Sequence, residues 1–216
     1  MTAANANDPN IHAVHIKGDR KAVAFTFDDG PNPIYTPQVL DIFRQAGGKA
    51  TFYMIGEHMT QYPELAKKVV EEGHEIGNHT YTHPMLTKSN STADHRQEID
   101  KAHETITEIT GQAPTTFRAP YFDFNEETVA ITQEFNYKMI GAGNPEALDW
   151  EMPGVDHIYT KTKESLVNGS VLLFHDGYND RSQTIEAVKM LVKELTEEGY
   201  ELVTVSELLK LATTTT

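Results

Sequence analysis

Five short stretches of this chain carry side chains that buried strands and amphipathic helices do not need for stability. They are Asp28-Asp29-Gly30, His79 with His83, Arg118, Asp149-Trp150, and His175-Asp176-Gly177. Two adjacent aspartates on extended backbone point in different directions, so one can hold a metal while the other faces a substrate. Asp-Gly-Pro is also good turn chemistry, and the pair alone does not separate the two readings. His79 and His83 are four apart, a spacing that on a helical turn puts both imidazoles on one side, within reach of a shared metal. The same spacing is common on plain surface helices. A zinc-protease helix needs glutamate after the first histidine, and Thr80 stands there. The carboxylate ligand must then come from elsewhere, and Asp29 is its natural source. Two histidines and one carboxylate leave positions open for water and substrate, as catalytic metal sites do. His175 reads either as a core histidine satisfied by backbone or, beside a metal and a spare aspartate, as a general acid. Arg118 either neutralises surface acid or, next to Asp28, lowers that carboxylate's pKa and fixes its orientation.

Something must carry these groups to one place. Residues 22–27 and 171–174 are apolar runs that stop at Asp28 and His175, which reads as strands buried on both faces with polar groups at their C-terminal lip. Further strands are expected at residues 50–55, 74–77, 116–118, 137–140 and 201–205. Helices are expected from Thr36-Pro37, from Pro63, over residues 92–110, after Asn125, near 157–167, around Ile185 to Leu195 and from Ser206. Residues 141–155, with Asp149-Trp150, read as an irregular connection. Strand and helix alternate about seven times in a single composition zone. That pattern predicts one α/β domain with a mainly parallel sheet, either a closed or nearly closed barrel or an open doubly wound sheet. No glycine-rich phosphate loop is present. Residues 1–20 are polar and expected to be loosely held.

Composition narrows the partners. The 216 residues carry a formal net charge of −14, which argues against nucleic acid and against anionic membrane or wall polymers, but not against a neutral polysaccharide. With ten histidines and no cysteine, histidine is the nitrogen ligand for any metal, and disulfides are excluded. No apolar run approaches the roughly 20 residues of a membrane helix. Thr213 to Thr216 reads as a frayed end or as the start of a threonine-rich linker to a further module.

Taken in order, Thr26-Phe27-Asp28-Asp29-Gly30, His79-Thr80-Tyr81-Thr82-His83, Arg118-Ala119-Pro120-Tyr121, Asp149-Trp150 and Leu173-Phe174-His175-Asp176 resemble the five motifs of the NodB-type polysaccharide deacetylases, carbohydrate esterase family 4. The resemblance covers roughly residues 20–210. It implies a deformed (β/α)7-8 barrel as a single domain over residues 21–211, with 1–20 and 212–216 as tails. It further implies one divalent ion, Zn2+ or Co2+, on Asp29, His79 and His83. Asp28 would be the general base toward the attacking water, oriented by Arg118. The Tyr121 backbone N–H would help stabilise the oxyanion, and His175, tuned by Asp149, would protonate the leaving group. Trp150 and Leu173 would line the acetyl methyl pocket. Phe122, Glu146 and Phe174 depart from the family's usual residues, and each is expected to bear on which sugar fits.

The expected function is therefore metal-dependent removal of acetyl groups from a polysaccharide by a secreted monomer. Acetylated xylan is the first substrate reading, favoured by the acidic charge and the threonine-rich end. N-acetylglucosamine polymers, peptidoglycan or chitin, are the alternative. A non-catalytic glycan-binding module would not need the catalytic set, and a paired-metal phosphoesterase would need more ligands than these clusters provide.

Overall fold

The computed structural model describes residues 10–16, 18–88 and 92–213. Seven parallel strands form one sheet: β1 (Ala22–Asp28), β2 (Thr51–Met54), β3 (Glu75–Asn78), β4 (Thr116–Phe117), β5 (Lys138–Met139), β6 (Val171–His175) and β7 (Glu201–Leu202). Their order is β5-β4-β3-β2-β1-β6, with β7 paired to the start of β1 at Ala22 and Val23. Eight α-helices flank it among the described residues: α1 (Thr36–Ala46), α2 (Gly56–Gln61), α3 (Pro63–Glu71), α4 (Thr92–Thr110), α5 (Glu126–Glu134), α6 (Val155–Ser165), α7 (Ser182–Glu197) and α8 (Val205–Thr213).

Alternation along β1 and β6 separates two cores. Val23, Phe25 and Phe27 of β1, with Leu172 and Phe174 of β6, pack under the helices together with Phe43 and Phe52. Ala22, Ala24 and Val171 point the other way, into a smaller cluster with Tyr53, Ile140, Val205 and Leu208. This two-sided burial is why the strands read as unbroken apolar runs. The sheet curls into the deformed barrel expected of the family, with every strand's C-terminal end on one lip.

Residues 10–16 differ from the loose segment expected. Ile11, Val14 and Ile16 are buried in the inner cluster. Ile11 pairs with Ile140 just past β5, and Ala13 pairs with Ser170 just before β6. The Ile11 and Val14 N–H groups donate to Met139 and Gly169, and Val171 N–H donates to His12. This strap spans the gap between the two sheet edges. Its backbone is held by ladder partners far away in sequence, which a scan for local periodicity does not reveal.

Local signals set several boundaries. Asn125 makes a reciprocal capping box with Thr128 at the start of α5, worth about 1 kcal/mol. Gly47 ends α1 in the left-handed conformation, which glycine adopts without steric cost. α2 was not anticipated: it is six residues long and opens on Gly56 with no amphipathic period. The last strand is shorter than expected, because Val205 already begins α8. Ala212 packs at the edge of the inner cluster, and residues 214–216 of the threonine-rich end lie outside the described residues. No helix among the described residues is long and apolar enough to cross a membrane.

Candidate active site

Asp28 is the last residue of β1, and the chain then turns: Asp29 has φ 73°. Across the turn the two carboxylates take different main partners, although both reach His79 Nε2, Asp28 Oδ2 at 3.7 Å and Asp29 Oδ1 at 3.5 Å. Asp28 Oδ1 accepts from Arg118 Nη1 at 2.7 Å. Arg118 is fully buried, and it donates further to Thr26 Oγ1 at 2.7 Å, Gly141 O at 2.7 Å and Ile140 O at 3.2 Å. The guanidinium also lies 4.3 Å from the Tyr53 ring. A buried cation with this many fixed acceptors has one orientation, and it keeps Asp28 aimed.

Asp29 turns toward the histidines. Its Oδ1 lies 3.1 Å from His83 Nε2 and 3.5 Å from His79 Nε2, and these three residues form a group able to hold a metal. The histidines do not lie on a helix, contrary to the expected helical turn. Thr80 and His83 have φ values of 66° and 63°, and the segment is a loop held from three sides. Asn78 Oδ1 accepts from Thr80 N–H. Glu98 on α4 accepts from Tyr81 N–H, Thr82 N–H and the Thr82 hydroxyl. The first N–H groups of α2, at Gly56 and Glu57, donate to Thr80 O and Tyr81 O. An unanticipated helix and an unanticipated glutamate therefore fix this loop; neither has a motif that marks it.

Does the set fit a cation? His79 Nδ1 donates to the carbonyl of Arg118 at 2.7 Å. A carbonyl only accepts, so in the neutral ring Nδ1 carries the proton and Nε2 presents a lone pair. That lone pair faces the buried Asp29 Oδ1, which accepts no hydrogen bond. Acceptors gathered this way repel one another unless a cation lies among them, and a second-atom hydrogen bond of this kind is the usual brace of a metal-binding imidazole. The residues fit a divalent ion. Burial opposes ionisation of Asp29, but positive charge on His79 and His83, when the rings carry protons there, and on His175 lowers its carboxyl well below the ordinary carboxylate range, and a cation in the same place acts in the same direction.

Across the lip, His175 ends β6 and pairs in register with Asp28. Asp149 Oδ1 accepts from His175 Nδ1 at 2.9 Å, and its Oδ2 accepts from the His175 N–H at 2.8 Å and from Thr184 Oγ1 at 3.1 Å. Burial alone would depress the imidazole; Asp149 overrides it, with help from Asp28 and Asp29, and raises His175 to about 9. Asn144, also not anticipated, works like an extra strand beside β6. It accepts from Leu173 N–H at 2.7 Å and donates to Leu173 O at 3.1 Å, so the irregular segment carrying Asp149 is clamped to the strand carrying His175.

The remaining expected residues fall as follows. Tyr121 and Trp150 are exposed at the lip, Tyr121 in edge contact with His83 and Trp150 with His175. Leu173 is buried two residues before His175. Phe122 lies 5.9 Å from the Arg118 guanidinium, and Glu146 is exposed. Phe174 corrects an expectation: it is fully buried and stacks on Phe25 on the helix side of the sheet, so it does not reach the groove. Asp176 is also buried; its Oδ2 accepts from the Thr36 hydroxyl, and burial pushes its carboxyl up to about 7. Gly177 is a position where only glycine fits, since a Cβ would lie 2.0 Å from Asp29 O.

The family model for polysaccharide deacetylases matches residues 15–140. The peptidoglycan-N-acetylglucosamine deacetylase of Bacillus cereus is 40% identical over 196 residues, covering 90% of this chain and 91% of that protein. The chitooligosaccharide deacetylase of a Bradyrhizobium species is 35% identical over 194 residues, covering 84% and 88% respectively. Among solved structures, the Bc1960 peptidoglycan N-acetylglucosamine deacetylase, in complex with 4-naphthalen-1-yl-N-oxidanyl-benzamide, matches with a TM-score of 0.86 at 30% identity, covering 93% of this chain and 92% of that one.

Proposed function

Because this chain belongs to the polysaccharide deacetylase family and is a hydrolase of carbohydrate esterase family 4, we propose that it removes N-acetyl groups from N-acetylglucosamine polymers outside the cell. The names of the relatives support this substrate over acetylated xylan, the first reading from sequence. The net charge of −14 suits a neutral N-acetylglucosamine oligomer as well as it suits xylan, so charge no longer favours xylan.

In this reading Asp28 takes a proton from the attacking water, and Arg118 keeps the carboxylate aimed. A divalent cation on Asp29, His79 and His83, zinc or cobalt, would polarise the acetyl carbonyl and make water more acidic. The Tyr121 backbone N–H supplies a donor to the developing oxyanion. His175, protonated through Asp149, gives its proton to the departing nitrogen. Trp150 and Leu173 border the acetyl methyl group. Residues 21–211 act as the catalytic domain, working as a monomer, and the threonine-rich end leads to any further module.

The observation that carries the reading is the convergence of two imidazole Nε2 atoms on the unpartnered Asp29 Oδ1, with a base–arginine pair and an acid–aspartate pair on neighbouring strand ends. The test is acetate release by the zinc- or cobalt-loaded protein from N-acetylglucosamine oligomers and, in parallel, from acetylated xylan. Turnover of the oligomers is expected. Release from xylan alone would restore the ester reading, and release from neither would sink the deacetylase assignment.

A further inference from the structure

Four large aromatic side chains are exposed among the described residues: Tyr62, Tyr121, Trp150 and Tyr178. Three of them touch a site histidine. Trp150 stands against His175 on the acid side. On the metal side, Tyr121 lies 4.7 Å from His83, Tyr178 lies 6.0 Å from the same imidazole, and Tyr178 lies 4.9 Å from His58, all centroid to centroid and edge-on. His58 in turn is held by Asp29, its Nδ1 donating to the Asp29 carbonyl at 2.8 Å. The rings His58, Tyr178, His83 and Tyr121 thus form one continuous wall beside the ligand set. Neither Tyr178 nor His58 belongs to any of the five motifs, and the chemistry above uses neither.

Tyr178 is not placed there by packing needs. It is 46% exposed, although a tyrosine ring is large enough to bury. Its φ is 58°, the left-handed region that bulky residues avoid. Strain of this kind persists where the surroundings over-determine it and collects at functional sites. The surroundings are visible: Gly177 is pressed against the Asp29 backbone, and Asn32 Nδ2 reaches the Tyr178 carbonyl at 3.4 Å.

We propose that Tyr178 is a specificity-determining residue that, with Tyr121, walls a subsite for the pyranose ring next to the sugar being deacetylated. This rests on the N-acetylglucosamine reading above. A pyranose offers an apolar C–H face with hydroxyls at its edge. An exposed tyrosine ring offers a flat apolar surface that covers that face. The ring has only two side-chain torsions to fix on binding, so ordering it costs little.

The holoenzyme carrying Tyr178→Asn or Tyr178→Phe tests this. Asn removes the ring while tolerating left-handed backbone, and Phe keeps the ring. The readouts are the KM for an N-acetylglucosamine tetramer, the ratio of its kcat/KM to that for 4-nitrophenyl acetate, zinc content, and quenching of Trp150 fluorescence by the tetramer. Trp150 is the sole tryptophan. Tyr178→Asn is expected to raise the tetramer KM about tenfold, to lower the ratio by the same factor and to weaken quenching in parallel. Zinc content should hold, and Tyr178→Phe should stay near wild type. An unchanged tetramer KM overturns the proposal. So does a fall in zinc content with an unchanged ratio, which marks Tyr178 as a mere brace for His83. Wild type that cleaves the ester but not the tetramer defeats the substrate reading instead. Quenching by acetylated xylo-oligosaccharide then reads the same wall, and equal affinity in wild type and Tyr178→Asn overturns the proposal there.

Discussion

Asp28 and His175 occupy paired positions on adjacent parallel strands. Paired residues of a parallel ladder project from the same face of the sheet, so these two groups are held one strand apart by backbone hydrogen bonds rather than by flexible loops. What distinguishes them is their partners. Asp28 has Arg118, a buried fork that fixes its orientation; His175 has Asp149, which favours the imidazolium.

On the proposed reading, that difference sets the alkaline limit of activity. His175 is raised from its ordinary 6.5 to about 9, so it stays a proton donor through neutral pH and kcat/KM should fall as pH passes about 9. The same bound proton stabilises the fold: its contribution is complete below 6.5 and disappears as pH rises through about 9. In Asp149→Asn burial dominates, and the alkaline limb should move below 6.5. A profile from pH 5 to 10 on both proteins checks this; an unmoved limb would show that another group titrates.

Removing the cation should stop turnover, with recovery on adding zinc or cobalt. It should also be visible without substrate. At a metal concentration about 100 times Kd, binding stabilises by about 2.7 kcal/mol, an increase in Tm of roughly 5–10 °C for a chain of this size. His83→Ala should lose that shift. Calorimetry with and without chelator decides it, and an equal shift in His83→Ala would relocate the metal.

Arg118 is expected to matter to stability as much as to rate. Replacing it by Met strands the buried Asp28 carboxylate and two carbonyls, at a cost of about 3–5 kcal/mol. Lys restores charge but not the fork that reaches Asp28, Thr26 and Gly141 together, so Arg118→Lys should recover some stability and little activity. Urea unfolding beside kcat on both variants separates these effects.

Phe174→Ala should cost about 3–5 kcal/mol, the usual range for a buried aromatic truncated to Ala, because the ring is buried against Phe25 and Phe27. Relative rates on oligomers of different length should not change. A change in length preference would mean that the ring influences the groove after all.

Much of this arrangement was legible in the sequence, and the reason is local. A strand that alternates between two cores must be apolar throughout, so the point where it ceases to be so, at Asp28 or His175, marks the lip. Asn125 announces its helix through a capping pattern four residues long, ending at Thr128. The hidden parts depend on partners remote in the chain. Glu98 is an ordinary helix acid until it meets Thr82. Asn144 looks like a loop residue until it lies beside Leu173. His79 and His83 have helical spacing, yet left-handed residues at Thr80 and His83 bring them together by another path. Ile11, Val14 and Ile16 are too few to show a period, and their burial depends on strands more than a hundred residues away.

The strap at residues 10–16 has a consequence for the order of assembly. Its docking partners, Ile140 and Ser170, are made only after the first five strands, so the earliest-synthesised part of the barrel must wait for most of the chain. Contacts of such long range form late and slowly. The segment they pin at Ile140 and Gly141 also provides the carbonyls that orient Arg118. A nascent chain can therefore gather its histidines early, yet Asp28 acquires its final alignment only when the seam closes, and on the proposed reading this ties the onset of activity to completion of the fold.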